Sequence, residues 1–154
     1  MSQALVILVS GERFGLPVAR TGSVFRVDGL TRVPLTAPAI AGLHNLRGKT
    51  LAVVHLARLF DSAAPAPGEK PLAVTIETEA ESYAVIVDDV EEVAALPEEA
   101  RLDGLWHGDP RRMSLTAATY RLGQDVLPIL DVNRLFEPMP ETGGGAGSGP
   151  DLPR

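Results

Sequence analysis

The sequence predicts an all-β fold of two small β-barrels packed together, with short helical turns and a disordered C-terminal tail. Three observations carry that prediction. Glycine (15 residues) and proline (13) are frequent and fall between short apolar runs, the punctuation of strands and turns. The chain writes nearly one phrase twice, LAVVHLARLF at 51–60 and LPILDVNRLF at 127–136, with His55 facing Asp131 at an offset of 76 positions. Each half is only about 65 residues, too few for a large core of its own, and β-units of that size manage their edges by curling into barrels.

The elements follow in order. Residues 5–9 are apolar and β-branched, Ser10-Gly11-Glu12-Arg13 reads as a turn, and Phe14, Leu16 and Val18 alternate after it, which predicts a first hairpin. Residues 24–27 are a short extended piece. Pro34 and Pro38 bracket a segment that cannot be a central strand, and 39–46 reads as a turn of helix or a loop. Residues 51–56 form an apolar strand that curls into a helical turn over 57–60. The Ala-, Pro- and Gly-rich stretch 63–71 is a surface connection. The second half opens with strands at 72–78, 83–87 and 90–96, the last ending before Pro97. Residues 98–113 are irregular, with Gly104, Gly108 and Pro110 breaking any pattern, and 119–130 reads as a hairpin turning at Gly123-Gln124-Asp125. The tail 138–154 is too poor in apolar residues to offset the entropy of ordering it.

The repeat extends beyond the phrase that announces it. Phe14-x-Leu16-x-Val18 corresponds to Tyr83-x-Val85-x-Val87 at an offset of 69, and the same offset sets Val24 against Val93. Each half therefore reads as strand, turn, strand, short strand, irregular link, strand, helical turn. The offset grows from 69 to 76 because the link is longer in the second half. Any two amphipathic β-segments look alike, but that does not account for LxxxxLxRLF, and duplication is the better explanation.

Composition excludes several function classes. A formal net charge of −6, with no run of Lys and Arg beyond the pair Arg111-Arg112, argues against nucleic-acid binding. The absence of cysteine removes disulfides and thiolate metal sites. ALVILV is too short and lacks the basic flank of a signal peptide, and no stretch approaches the roughly 18 apolar residues needed to span a bilayer. His44, His55 and His107 are scattered without metal-ligand spacing, and no glycine-rich loop opens a helix after a strand. Asp88-Asp89 and Glu91-Glu92 are close in sequence, but neighbours on a strand face opposite ways, which reads as a solvated strand end rather than a catalytic dyad. A small hydrolase built on the Asp88 cluster is the minor alternative. Trp106, the only tryptophan, is either an interface anchor or a barrel plug, and the plug is favoured.

GLHNLRG at 42–48, an apolar strand after it and an RLF ending together resemble the CheW-like domain of chemotaxis coupling proteins and of the C-terminus of their histidine kinases. YAVIVDDVEEV at 83–93 and VLPILDVNRLF at 126–136 extend the resemblance, which covers about residues 4–136. It implies one domain over 1–137 of two five-stranded SH3-like barrels, roughly 1–64 and 70–137, with exchange of strands between them left open. It also implies an adaptor without catalysis, cofactor or metal. Such proteins bind the regulatory domain of a CheA-type histidine kinase and the cytoplasmic tip of chemoreceptors (methyl-accepting proteins), in cytoplasmic arrays beneath the membrane and without inserting into it.

The partner-binding surface is then expected at Gly42, Asn45, Leu46, Arg47 and Gly48, with Val24 nearby. Asn and Gly there suit a tight turn or a positive-φ position, and Arg47 would project from a rigid loop, unless it bonds carbonyls of its own barrel. Two departures from the family pattern fall in the first half. Ser23 stands where a Glu able to pair with Arg47 is usual, while Glu92 keeps that pattern in the second half. His55 stands where Asp is common, while Asp131 keeps it. The alternatives are a divergent adaptor of another receptor–kinase system (pili, development, a second messenger) or an antagonist that binds one partner and not the other.

Overall fold

The computed structural model describes residues 2–31, 40–60, 70–78, 81–102 and 110–136, apart from the side chains of Arg111 and Arg112. The expected connection at 63–69, the segment bracketed by Pro34 and Pro38, Trp106, His107 and the tail lie outside the described residues. The strands are β1 (Ser2–Val9), β2 (Glu12–Pro17), β3 (Thr21–Arg26), β4 (Ile40–Leu46), β5 (Lys49–His55), β6 (Leu72–Glu77), β7 (Ser82–Val87), β8 (Asp89–Leu96), β9 (Thr116–Leu122) and β10 (Asp125–Leu130). Short helices α1 (Leu56–Leu59), α2 (Pro110–Ser114) and α3 (Val132–Phe136) complete them. The all-β expectation holds. Two elements differ: helix α2 begins at Pro110 within the stretch 98–113 read as irregular, and the stretch 39–46, read as helix or loop, carries strand β4. Gly42, His44 and Asn45 are poor strand formers, and pairing to neighbours on both sides overrides their local preference.

The strands form two five-stranded sheets, ordered β8-β1-β2-β10-β9 (sheet A) and β3-β6-β7-β5-β4 (sheet B). Each sheet draws strands from both halves of the chain. Carrying β1–β3 forward by 69 and β4–β5 by 76 turns one order into the other. The hydrogen-bond registers obey the same two offsets. Leu5 pairs Val93 and Ile7 pairs Val90 around a bulge in sheet A, and Val74 pairs Val24 and Ile76 pairs Thr21 around a bulge in sheet B. A second bulge falls between Ile129–Ala118 and Leu130–Thr116, and its twin between Val53–Gly42 and Val54–Ile40. Parallel contacts match as well, Ile129 on Gly15 and Val53 on Ala84. A bulge is a specific defect of one extra residue. Two of them reproduced at equivalent positions establish duplication more firmly than the likeness of apolar runs.

Each sheet closes on itself. After β3 the chain returns to β4, where Thr31 and Leu43 exchange both backbone hydrogen bonds, at 2.9 and 2.8 Å. After β8, Leu102 donates to the carbonyl of Thr119 at 2.8 Å, beside a bridge between Arg101 and Tyr120. Bulges supply the bending that such closure requires. The barrel interiors are small and apolar, with Val6, Leu127 and Ile129 inside sheet A and Leu51, Val53 and Ile86 inside sheet B.

The larger core lies between the barrels. It joins Ile7, Phe14 and Leu16 of sheet A to Val54, Val74 and Val85 of sheet B, and both α1 and α3 pack into it. Here the repeated phrase finds its physical reason. Phe60 stacks on Phe14 with ring centroids 4.8 Å apart, and Phe136 stacks on Tyr83 at 4.0 Å. These are equivalent pairs under the two offsets, so each RLF ending anchors its helical turn on the hairpin aromatic of its own half.

Candidate functional site

The NLRG stretch forms the tip of the β4–β5 hairpin. Leu46 pairs Lys49, so Arg47 and Gly48 are the two turn residues, with φ of 54° and 82°. Positive φ at both positions is the type I′ geometry whose twist matches the strands it joins. Glycine adopts it freely, whereas arginine does so at a cost. The side chain of Asn45 supports the turn, its Oδ1 accepting from the backbone N–H of Gly48 at 2.9 Å. Arg47 therefore projects from a braced two-residue turn and is exposed. Among the described residues none bonds its guanidinium.

Gly42 sits elsewhere in the same strand and does something different. It is buried, at φ 154°, and a Cβ there would lie 2.7 Å from the carbonyl oxygen of Thr31. It is the point of closest approach where barrel B closes. Leu46 is half-buried and packs on the interior of barrel B. Val24 lies on β3, at the opposite end of the sheet order from β4, and is 46% exposed. The structure thus places Asn45, Arg47 and Gly48 together at one turn, Gly42 in the barrel seam and Val24 on a separate strand.

Val93, the twin of Val24, is 53% exposed on β8. These two are the large apolar side chains left exposed among the described residues. The sequence already set them opposite each other, but only the sheet shows that both face solvent. Their registry partners, Val74 and Leu5, belong to or pack on the central core.

The two departures have distinct structural consequences. Ser23 offers no carboxylate, and its backbone N–H donates to Thr75 Oγ1 at 2.7 Å. Asp131 caps α3: its Oδ1 accepts from the N–H groups of Asn133 and Arg134, at 3.1 and 3.3 Å, and Oδ2 lies 3.9 Å from Arg134 Nε. His55, at the same position before α1, makes no capping bond, and its buried Nδ1 has no hydrogen-bond partner among the described residues. Burial first, and the charge of Arg58 second, hold its pKa below the ordinary value. The unfolded chain takes up this proton near pH 6.5 and the folded chain resists it. This contribution is therefore flat above about pH 7, and stability falls as pH drops through about 6.5. His55→Asp restores the cap and an Arg58 pairing, and is expected to add about 1 kcal/mol at pH 7. Urea unfolding of both proteins at pH 7 and pH 5.5 checks it. The gain should be larger at pH 5.5.

Asp88 and Glu91 each hold a neighbouring strand or turn. Asp88 Oδ2 accepts from the N–H of Ser10 at 2.8 Å, bracing the β1–β2 turn, where Ser10 and Gly11 both have positive φ. Glu91 pairs with Arg13, Nε to Oε1 at 2.6 Å, which raises the arginine pKa through the hydrogen bond and then the charge. His44 stacks on Phe25 at 5.3 Å and its Nδ1 meets the carbonyl of Gly29. Among the described residues no group of three or more His, Asp or Glu side chains is placed to hold a metal, and no helix is long and apolar enough to cross a membrane.

Comparison with known proteins agrees with this architecture. The CheW-like domain model matches residues 3–138. No curated protein matches. Among solved structures, the scaffolding protein TtCheW from Thermoanaerobacter tengcongensis superposes with a TM-score of 0.77 at 22% identity, covering 88% of this chain and 92% of that one. At that identity the likeness is one of fold. With the family model spanning nearly all of the chain but its tail, the protein belongs to the CheW-like domain family.

Proposed function

We propose that this protein is a non-catalytic cytoplasmic adaptor that couples chemoreceptors (methyl-accepting proteins) to a CheA-type histidine kinase, in chemotaxis or a related receptor–kinase pathway. The observation that carries the proposal is the β4–β5 turn: a braced type I′ tip that projects an exposed Arg47 with no bonded partner among the described residues. A planar, multi-donor cation held on a rigid turn suits recognition of a carboxylate or carbonyl group on a partner. Family membership supplies the class of partner.

A coupler needs two surfaces, and the duplication supports that reading. Val24 and Val93 are equivalent exposed apolar positions on different sheets. Gly42 and Leu46 shape the barrel behind the turn and contribute by holding it in place. Ser23 favours a second possibility, an antagonist that engages one partner only, because no carboxylate stands at that position to pair with Arg47.

Calorimetric titration of the full chain against the kinase regulatory domain, and separately against a receptor cytoplasmic tip, tests this. Both should bind, and Arg47→Ala should weaken at least one of them about tenfold, a loss of roughly 1.4 kcal/mol. Binding to one partner alone identifies the antagonist, and binding to neither rejects the adaptor role for these partners.

A further inference from the structure

A recessed surface opens at one end of barrel A. The turns of β1–β2 and β9–β10 and strand β8 surround a cavity of about 620 Å³. Its apolar lining comes from Val6, Leu122, Val126, Leu127 and Pro128, of which Leu122 and Val126 are half-buried. Its rim is acidic: Glu12, Glu91, Glu92 and Asp125 face one cation, Arg13. Arg13 is already engaged by both carboxylate oxygens of Glu91, at 2.6 and 3.4 Å. No cation among the described residues is hydrogen-bonded to Glu92 or Asp125.

The twin end of barrel B shows what this surface looks like without the cavity's features. The equivalents of Val6, Arg13, Glu91, Glu92 and Asp125 are Thr75, Ser82, Gly22, Ser23 and Lys49. There Thr75 Oγ1 turns onto β3, accepting from the N–H of Ser23 at 2.7 Å, and Lys49 Nζ donates to Ser82 Oγ at 2.9 Å. The twin is satisfied by its own side chains and carries a lysine where barrel A carries Asp125. Of the four carboxylates at this end of barrel A the twin keeps one, Glu81 in place of Glu12, and it adds a lysine.

We propose that the open end of barrel A is a docking site for a basic, amphipathic segment of a partner protein, in which an Arg or Lys side chain enters the cavity. Chemistry and shape both select that occupant. The aliphatic stem of such a side chain lies against Leu122 and Val126 while its cationic head reaches Glu92 and Asp125, the arrangement long basic side chains adopt at apolar–polar boundaries. Charge-assisted hydrogen bonds to carboxylates supply specificity for a cation over a neutral group of the same shape. This surface is separate from the Arg47 turn and does not depend on the adaptor reading.

The test is an amide chemical-shift titration of the full chain with the synthetic peptide acetyl-Ala-Leu-Arg-Leu-Ala-amide. A control peptide carries citrulline, the neutral isostere, in place of arginine. Saturable shifts are expected at Gly11, Glu92, Asp125 and Val126, with a Kd of about 0.1–1 mM. The citrulline peptide should bind at least tenfold more weakly, and so should the arginine peptide to Asp125→Lys, a change the twin turn already accepts as Lys49. No shift at these amides up to about 5 mM peptide, equal binding of both peptides, or undiminished binding to Asp125→Lys overturns the proposal. Shifts at the same amides on dilution of the protein alone also overturn it, since a second copy of this chain would then be the occupant.

Discussion

Phe136→Ala is expected to lower stability by about 3–5 kcal/mol and to reduce Tm by roughly 10 °C or more. Phe136 is buried and stacks nearly parallel on Tyr83, with 5° between the rings. It sits at the end of α3, a helix of 5 residues that has no stability of its own and is held by this anchor and by Val132 and Leu135 in the central core. Removing the ring leaves a cavity where sheet B, α3 and the core meet, and adds the loss of the aromatic contact, itself worth about 0.5–1.5 kcal/mol. A change of this size is a large fraction of the about 5–15 kcal/mol that stabilises a domain. Phe60→Ala should behave alike, because Phe60 holds α1 on Phe14 in the same way. Urea unfolding monitored by far-ultraviolet circular dichroism measures both. A loss below about 1 kcal/mol for either would show that the RLF anchors are not what holds the helical turns.

Gly42→Ala is expected to cost about 2–4 kcal/mol, through two independent causes. The backbone at φ 154° is one that residues with a side chain rarely adopt, and the new Cβ would press on the backbone carbonyl of Thr31, which cannot rotate away as a side chain can. The strand would have to part from residue 31, opening barrel B at its seam. The duplicated barrel supplies the control. Its equivalent residue is Ala118, so that seam already accommodates a Cβ. Ala118→Gly should cost no more than about 1 kcal/mol, from backbone entropy and lost contact. Because Gly42 is buried, any loss of partner binding in Gly42→Ala should track the loss of folded protein measured by thermal unfolding. Arg47→Ala should weaken binding with Tm unchanged or slightly raised.

The hairpins were legible in the sequence because each is a local event: apolar alternation on both sides of a turn such as Ser10-Gly11 or Gly123-Gln124. The duplication was legible because core positions constrain residue type, so Phe14 and Tyr83, or Phe60 and Phe136, stayed alike. Strand β4 was not, since its glycine, histidine and asparagine speak for a loop and only non-local pairing makes it a strand. Which strands share a sheet was also beyond reach. The parallel contacts of β2 with β10 and β5 with β7 join segments far apart in the chain, and the side-chain period says nothing about them.

The candidate site divides the same way. The turn at Asn45-Leu46-Arg47-Gly48 was legible from residue type, although the positive φ falls on Arg47 as well as on glycine. The exposure of Val93 was not, because β8 is apolar and acidic by turns and either face could have been buried. The acidic cavity was invisible, since Glu12, Glu92 and Asp125 come from three strands that only the sheet order brings to one end.

Duplication followed by divergence explains the molecule as a two-faced part. One core between two barrels gives rigidity, and the two barrels present unlike surfaces: a cationic turn on one, carboxylates on the other. The proposed role requires that one chain hold a receptor and a kinase at the same time. Co-sedimentation tests this directly, with receptor cytoplasmic domains tethered to lipid vesicles and the kinase added with or without this protein. The kinase should pellet only when both receptor and this protein are present, and Arg47→Ala should reduce the pelleted fraction. If this protein pellets with the vesicles while the kinase stays in solution, the protein does not couple them.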